Sequence, residues 1–313
     1  MKVIDFNTIS KLGVNPLQCV KWVEYILKNK YSCELPPKIS LHMGNNIFMN
    51  TMPSYIPMVQ RHGVKIVSRY PERVPSLISE IMLYDTNNGL PLALMDGTWI
   101  TAMRTGAVAA LTIKTLQRKD AQQYAFMGLG NTARSTLLCL AELLKGTDIN
   151  IKLLAYKGQE ELFKQRFASY PNLHFEVCQN EEAFVTDSDV VVSCITAADY
   201  LIASDKCYKK GVLVVPVHTR GFQNCDLFFD KVFADDMGHV KDFKYFKQFK
   251  QFDEFSQVLI GNNPGRESDE ERILAYNIGI SLHDIYFASQ IYDLSASKAK
   301  ELILENETQK FWL

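Results

Sequence analysis

The stretch Gln123-Tyr124-Ala125-Phe126-Met127-Gly128-Leu129-Gly130-Asn131-Thr132-Ala133 joins an apolar run to two glycines one residue apart. Leu137, Leu138, Leu140, Leu143 and Leu144 then recur at helical spacing, so the segment reads as strand, tight turn and helix. Glycine suits such a turn because its backbone bends sharply and can come close to a pyrophosphate. Ala133 lets the helix pack on the sheet, and the helix N-terminus favours the phosphate charge. A plain strand-to-helix turn would look the same, so the surroundings decide. Further strands read at 149–155, 173–178, 189–195, 211–217 and 231–234, with a helical stretch at 159–168. Strands alternating with helices imply crossover units and a doubly wound parallel sheet of the Rossmann type. In that context the turn predicts dinucleotide binding, with Gly128, Gly130, Asn131, Thr132 and Ala133 as contacts.

The second strand of such a domain ordinarily ends in an acid that holds the adenosine ribose. Here Leu154-Ala155-Tyr156-Lys157-Gly158 contains none. That removes repulsion toward a 2′-phosphate, and Lys157 could pair with one, which tilts the expectation to NADP(H) over NAD(H). Lys157 as an ordinary solvated lysine is the alternative. Tyr156 and, beyond the strand at 189–195, Thr196 complete the expected cofactor contacts.

Upstream, residues 14–30 read as an amphipathic helix, followed by short β-rich segments at 38–43, 46–52, 64–70 and 77–84. Asp85-Thr86-Asn87-Asn88-Gly89 turns the last of these into 90–95, a hairpin. Residues 100–116 read as a helix of small side chains. Downstream, the chain from about Ser268 reads as one long helix returning to the first part. The expected organisation is α/β: a Rossmann domain at 119–274, and a discontinuous α+β substrate and dimerisation domain at 1–118 and 275–313.

Composition sets the outer bounds. At 313 residues the length suits two domains. Lys plus Arg number 34 against 35 Asp plus Glu, which argues against a chain built to coat nucleic acid or an anionic membrane. No run approaches the ~20 apolar residues of a membrane span. The seven cysteines are scattered without a CxxC pair, so neither a disulfide framework nor a metal site is expected. Lys2 and Asp5 open the chain with no apolar run behind them, which leaves a cytoplasmic location as the expectation.

Arg104 stands alone among Ala102, Thr105, Gly106 and Ala107, and a buried arginine is costly unless it meets an anion. It is a candidate carboxylate clamp, with Thr105 a phosphate or ribose contact; a structural ion pair is the alternative. Lys65 lies in the β-branched stretch Gly63-Val64-Lys65-Ile66-Val67, and strand alternation read alone makes it a solvent-facing residue. Lys38, beside Pro36-Pro37, is similar. Phenylalanine recurs at 243, 246, 249, 252 and 255 between lysines, but Asp242, Asp253 and Glu254 neutralise the segment, so packing against the sheet is expected over nucleic-acid stacking. His218, just after 211–217, sits where open α/β sheets place ligands, with a satisfied structural histidine as the competing reading.

Together these segments resemble the ornithine cyclodeaminase/μ-crystallin family. The matching pieces are Met52-Pro53, Gly63-Val64-Lys65, Leu83-Tyr84-Asp85, Gly89-Leu90-Pro91-Leu92-Ala93, the glycine turn, Ser188-Asp189-Val190-Val191-Val192 and Pro264-Gly265-Arg266. Most specific is Thr101-Ala102-Met103-Arg104-Thr105-Gly106-Ala107. The resemblance implies a Rossmann domain, a second domain whose sheets form a barrel across a homodimer, and NAD(P)-dependent chemistry at the Cα of amino or imino acids. It implies that Lys65 and Arg104, helped by Lys38, hold the substrate carboxylate, and that Thr105 and the Gly128 loop meet phosphate. Cyclodeaminating members carry an aspartate after the strand equivalent to 211–217, where this chain reads Val217-His218-Thr219-Arg220-Gly221-Phe222, with no carboxylate before Asp226. Ornithine-binding members also have a carboxylate near the position of Asn50. The expectation is therefore hydride transfer to or from an amino or imino acid, with Arg220 suiting an acidic substrate. Ornithine cyclodeamination and non-catalytic NADPH binding are the alternatives.

Overall fold

The computed structural model describes residues 1–196, 200–218, 227–304, 307, 309 and 310. The chain opens with β1 (Lys2–Ile4), α1 (Phe6–Lys11) and α2 (Pro16–Lys28). Five strands follow: β2 (Ile39–His42), β3 (Phe48–Ile56), β4 (Arg61–Arg69), β5 (Leu77–Asp85) and β6 (Pro91–Asp96). Then come α3 (Thr98–Leu116), β7 (Gln123–Met127), α4 (Asn131–Leu143), β8 (Ile149–Leu154), α5 (Gln159–Arg166) and β9 (Leu173–Cys178). The chain continues through α6 (Glu181–Val185), β10 (Val190–Ser193), β11 (Leu213–Pro216), β12 (Lys231–Ala234), α7 (Met237–Val240) and β13 (Phe252–Glu254). It ends with α8 (Phe255–Leu259), β14 (Ile273–Tyr276), α9 (Ser281–Ser295) and β15 (Lys300–Glu301).

Two compact units result, one of residues 1–14, 32–101 and 284–313, the other of residues 15–31 and 102–283. The sequence boundaries at 118 and 275 both fall inside the second unit, which also takes in α2.

The first unit holds a seven-stranded sheet in the order β15-β1-β6-β5-β4-β3-β2, mostly antiparallel. The β5–β6 hairpin closes as expected, with the Gly89 amide donating to the Asp85 carbonyl at 2.9 Å. Gly63 lets α9 lie on β4, because a Cβ there would stand 2.9 Å from Ile285 Cδ1. The opposite face carries Ile39, Leu41 and Ile66, each exposed.

The second unit holds eight parallel strands in the order β13-β12-β14-β11-β10-β7-β8-β9. The order reverses between β7 and β10, and ligands of open α/β sheets bind at the carboxyl ends of the strands at such a point. Residues 273–276 are a fully buried central strand here, which corrects the long helix read from Ser268. A short continuous apolar run fits a two-sided strand as well as a helix, and Gly279 (φ +90°) prevents continuation into α9. Phe243, Phe246, Phe249 and Phe252 pack against the core of this sheet, as expected for that aromatic run.

Asp189 ties the starts of β7 and β10 together. Its Oδ2 accepts the Gln122 and Gln123 amides at 3.0 and 2.9 Å, and Lys209 Nζ lies 2.7 Å from Oδ1. Burial alone would raise this carboxyl; Lys209 and the two amides outweigh it and hold the group below its ordinary range. A depressed native value adds stability that is complete above the unfolded value of about 3.9 and is lost as pH falls through the native one. Urea midpoints measured from pH 6 downward should therefore fall on acidification, and Asp189→Asn should be less stable at neutral pH with a shallower acid limb.

Candidate functional site

In the second unit, Gly128 (φ +75°) turns the chain directly against the end of β10, where a Cβ would stand 2.6 Å from the Cys194 carbonyl carbon. Gly130 is the N-cap of α4 and supplies no side-chain acceptor to the first-turn amides. Among the described residues nothing lies within 4 Å of where its Cβ would be. The turn thus leaves amide donors and open space together, the arrangement a pyrophosphate requires. Asn131 is exposed, Thr132 half-buried and Ala133 buried, so the expected contacts divide into outward and packing positions. Thr105 is half-buried on α3, and Thr196 is exposed beyond β10.

After β8, Tyr156 is exposed and Lys157 (φ +51°) places its Nζ 5.1 Å from the Tyr156 ring centroid. The Tyr156 amide donates to Glu160 Oε2 at 3.2 Å. A carboxylate therefore does reach this strand end, folded back from the first turn of α5. The sequence motif does not reveal it, because Glu160 lies beyond the strand-end residues 154–158.

Arg104 is 4% exposed on α3, and its guanidinium lies over the Cα of Gly279. Asp235, just past β12 and 1% exposed, accepts the Gly279 amide at 2.6 Å on Oδ2 and Asn277 Nδ2 at 3.0 Å on Oδ1. Burial raises the Asp235 carboxyl above its ordinary value, and those two donors with the Arg104 and His239 charges offset this only in part. Asn277 also donates to Thr112 Oγ1 at 3.2 Å, which ties the end of β14 to α3. Gly279, Asp235 and Asn277 all lie far from Arg104 in sequence. His218 is buried after β11, its Nε2 3.2 Å from Ser193 Oγ at the end of β10. Arg220 and Asp226 lie outside the described residues.

In the first unit, Lys65 is 1% exposed, and its Nζ stands 2.6 Å from Oδ2 of Asp284, which is wholly buried. This overturns the solvent-facing reading of Lys65. Strand alternation was right about opposed faces, but Ile66 takes the exposed one and Lys65 turns under α9. Removing one member of such a pair strands a charge in the interior at a cost of ~3–5 kcal/mol, whereas the pair itself adds little to stability. Lys38 is half-buried just before β2. Among the described residues no group of His, Cys, Asp and Glu could hold a metal ion, and no helix is long and apolar enough to cross a membrane.

Comparison with known proteins matches residues 6–299 to the ornithine cyclodeaminase/mu-crystallin family. The chain belongs to that family. It is 27% identical to the nodulation efficiency protein NfeD of Rhizobium meliloti, over 84% of each chain. It is 27% identical to a Delta(1)-pyrroline-2-carboxylate reductase of Bacillus cereus, covering 95% of this chain and 98% of that one. The solved Delta(1)-pyrroline-2-carboxylate reductase of Thermococcus litoralis, in complex with NADH and L-proline, shares the fold with a TM-score of 0.86. It is 22% identical, over 96% of this chain and all of that one.

The two glycines of the turn separate binding from packing. Gly130→Val should fold normally, since its side chain enters open space, yet weaken NADH and NADPH binding at least tenfold in a fluorescence titration. Gly128→Val should instead lower the melting temperature, because its side chain meets the Cys194 backbone.

Proposed function

We propose that the chain is an NAD(P)H-dependent oxidoreductase acting at the Cα of an α-amino or α-imino acid. The observation that carries this reading is the burial of two cations, Lys65 at 1% exposure and Arg104 at 4%, at the family's carboxylate-binding positions. Each sits in a prepared setting, Lys65 against Asp284 and Arg104 against Gly279, so little side-chain entropy is lost when an anion arrives. The relatives that reduce Delta(1)-pyrroline-2-carboxylate, and the bound NADH and L-proline of the Thermococcus enzyme, support the same class.

The nicotinamide supplies the hydride for Cα. The resemblance to the family assigns the substrate carboxylate to Lys65 and Arg104, with Lys38 assisting. The Lys65 ammonium delivers the proton that the imine nitrogen gains. The Gly128–Gly130 turn and the α4 N-terminus hold the pyrophosphate, with Thr105 and Thr196 beside it. At the adenosine end Lys157 attracts a 2′-phosphate while Glu160 repels one, so NADH and NADPH should bind within about tenfold of each other. We further propose a homodimer in which a second copy covers the exposed Ile39, Leu41 and Ile66 face.

Turnover should be measured with both cofactors on Delta(1)-pyrroline-2-carboxylate, on acidic imino acids, on 2-oxo acids with an amine, and on ornithine. Imine reduction is expected, abolished in Lys65→Met, with acidic substrates favoured and ornithine deamination slow, because Arg220 cannot accept a proton at neutral pH. Faster ornithine turnover than imine reduction would replace this reading with cyclodeamination. Light scattering should give twice the chain mass; a monomer at micromolar concentration would refute the dimer.

A further inference from the structure

The substrate-binding role given to Arg104 rests on the proposed function; what holds Arg104 is a separate matter, carried by the second unit alone. Arg104 is almost out of water, and a guanidinium in that position needs both a countercharge and a surface that fixes its plane. Gly279 supplies the surface. It has φ +90°, and a Cβ there would collide with Nη1 and stand 2.8 Å from Cζ and 3.0 Å from Nη2, so the whole guanidinium rests on the glycine Cα. The Gly279 amide is bound in turn by Asp235 Oδ2 at 2.6 Å.

Asp235 is itself gripped from three sides. Lys30 Nζ donates to its carbonyl at 2.8 Å, its own amide donates to the Tyr276 carbonyl at 3.2 Å, and Asn277 Nδ2 holds Oδ1 at 3.0 Å. Lys30 is fixed by Asp236 Oδ2 and Glu254 Oε2, each at 2.8 Å. The charged groups around Asp235 are thus Arg104 from α3, His239 from α7, Lys30 from the end of α2, and Asp236 beside it. Groups this deeply fixed do not adjust to a ligand; they set where Arg104 points before one arrives.

We propose that Asp235 is a positioning residue for Arg104: by holding the Gly279 turn it orients the guanidinium to receive a carboxylate. Asp235 does not touch the ligand. Its effect on carboxylate recognition passes through Gly279, so it needs an acceptor at Oδ2 more than a negative charge. An asparagine can serve, since its amide oxygen accepts the Gly279 N–H and its NH₂ meets the Asn277 amide, which on flipping presents its Oδ1, an atom with no hydrogen-bond partner among the described residues.

The test uses the full-length protein saturated with NADH and measures binding of pyrrole-2-carboxylate against pyrrole by calorimetry. The ratio of the two affinities isolates the carboxylate contact, which a general loss of stability does not move. Wild type should prefer the carboxylate, and Arg104→Gln should lose that preference. Asp235→Ala should reduce the preference at least tenfold with NADH affinity unchanged, and Asp235→Asn should restore most of it. Gly279→Ala, whose methyl displaces the guanidinium, should match Asp235→Ala and keeps the test intact should that variant be insoluble. If Arg104→Gln retains the preference, the reading of Arg104 fails and the positioning role with it. If Arg104→Gln loses the preference while Asp235→Ala and Gly279→Ala keep it, the positioning role alone is overturned. An Asp235→Asn variant as poor as Asp235→Ala would also overturn it, because charge and not the Gly279 turn would be at work.

Discussion

A cation taken out of water must be given an anion or carbonyl oxygens in fixed geometry, and among the described residues this chain does so four times. Lys30 has Asp236 and Glu254, Lys65 has Asp284, Lys231 has Glu267 and Glu271, and Arg104 has the Asp235 carboxylate behind Gly279. Such pairs contribute little net stability, because desolvation offsets attraction. Their yield is rigidity. Each pins an element: α2 through Lys30, α9 to β4 through Asp284, and the loop after Gly265 to β12 through Lys231. The ends of β12 and β14 are held in the same way by Asp235 and Asn277.

Much of the second unit was legible in the sequence because its signals are local. A glycine turn needs only neighbouring residues to be recognised, and the Gly128–Gly130 segment has the strand, turn and helix it predicts. The family followed from the block around Arg104. What stayed hidden depends on partners distant in the chain. Asp284 is more than two hundred residues from Lys65, and no periodicity announces that a strand lysine will turn inward to meet a helix. Asp235 is one half of an Asp-Asp pair after a strand, and nothing around it in the sequence points to Arg104. The strand at 273–276 was hidden for a different reason: four apolar residues buried on both faces carry no period at all. Glu160 was missed because a folded-back side chain can occupy a site that its sequence position does not suggest.

The place of that strand in the sheet bears on how the chain assembles. β14 lies between β11 and β12, so the segment supplying the middle of the eight-stranded sheet comes after both of its neighbours in the chain. Until residue 276 has been made, β12 and β13 have no partner through which to join the other five strands, and they wait as a separate two-stranded fragment. Closing the sheet is a non-local event, and non-local pairings are slow to form. This unit cannot close before residues 273–276 are made, and a chain cut short before Ile273 would lose the keystone of its sheet and not merely an edge.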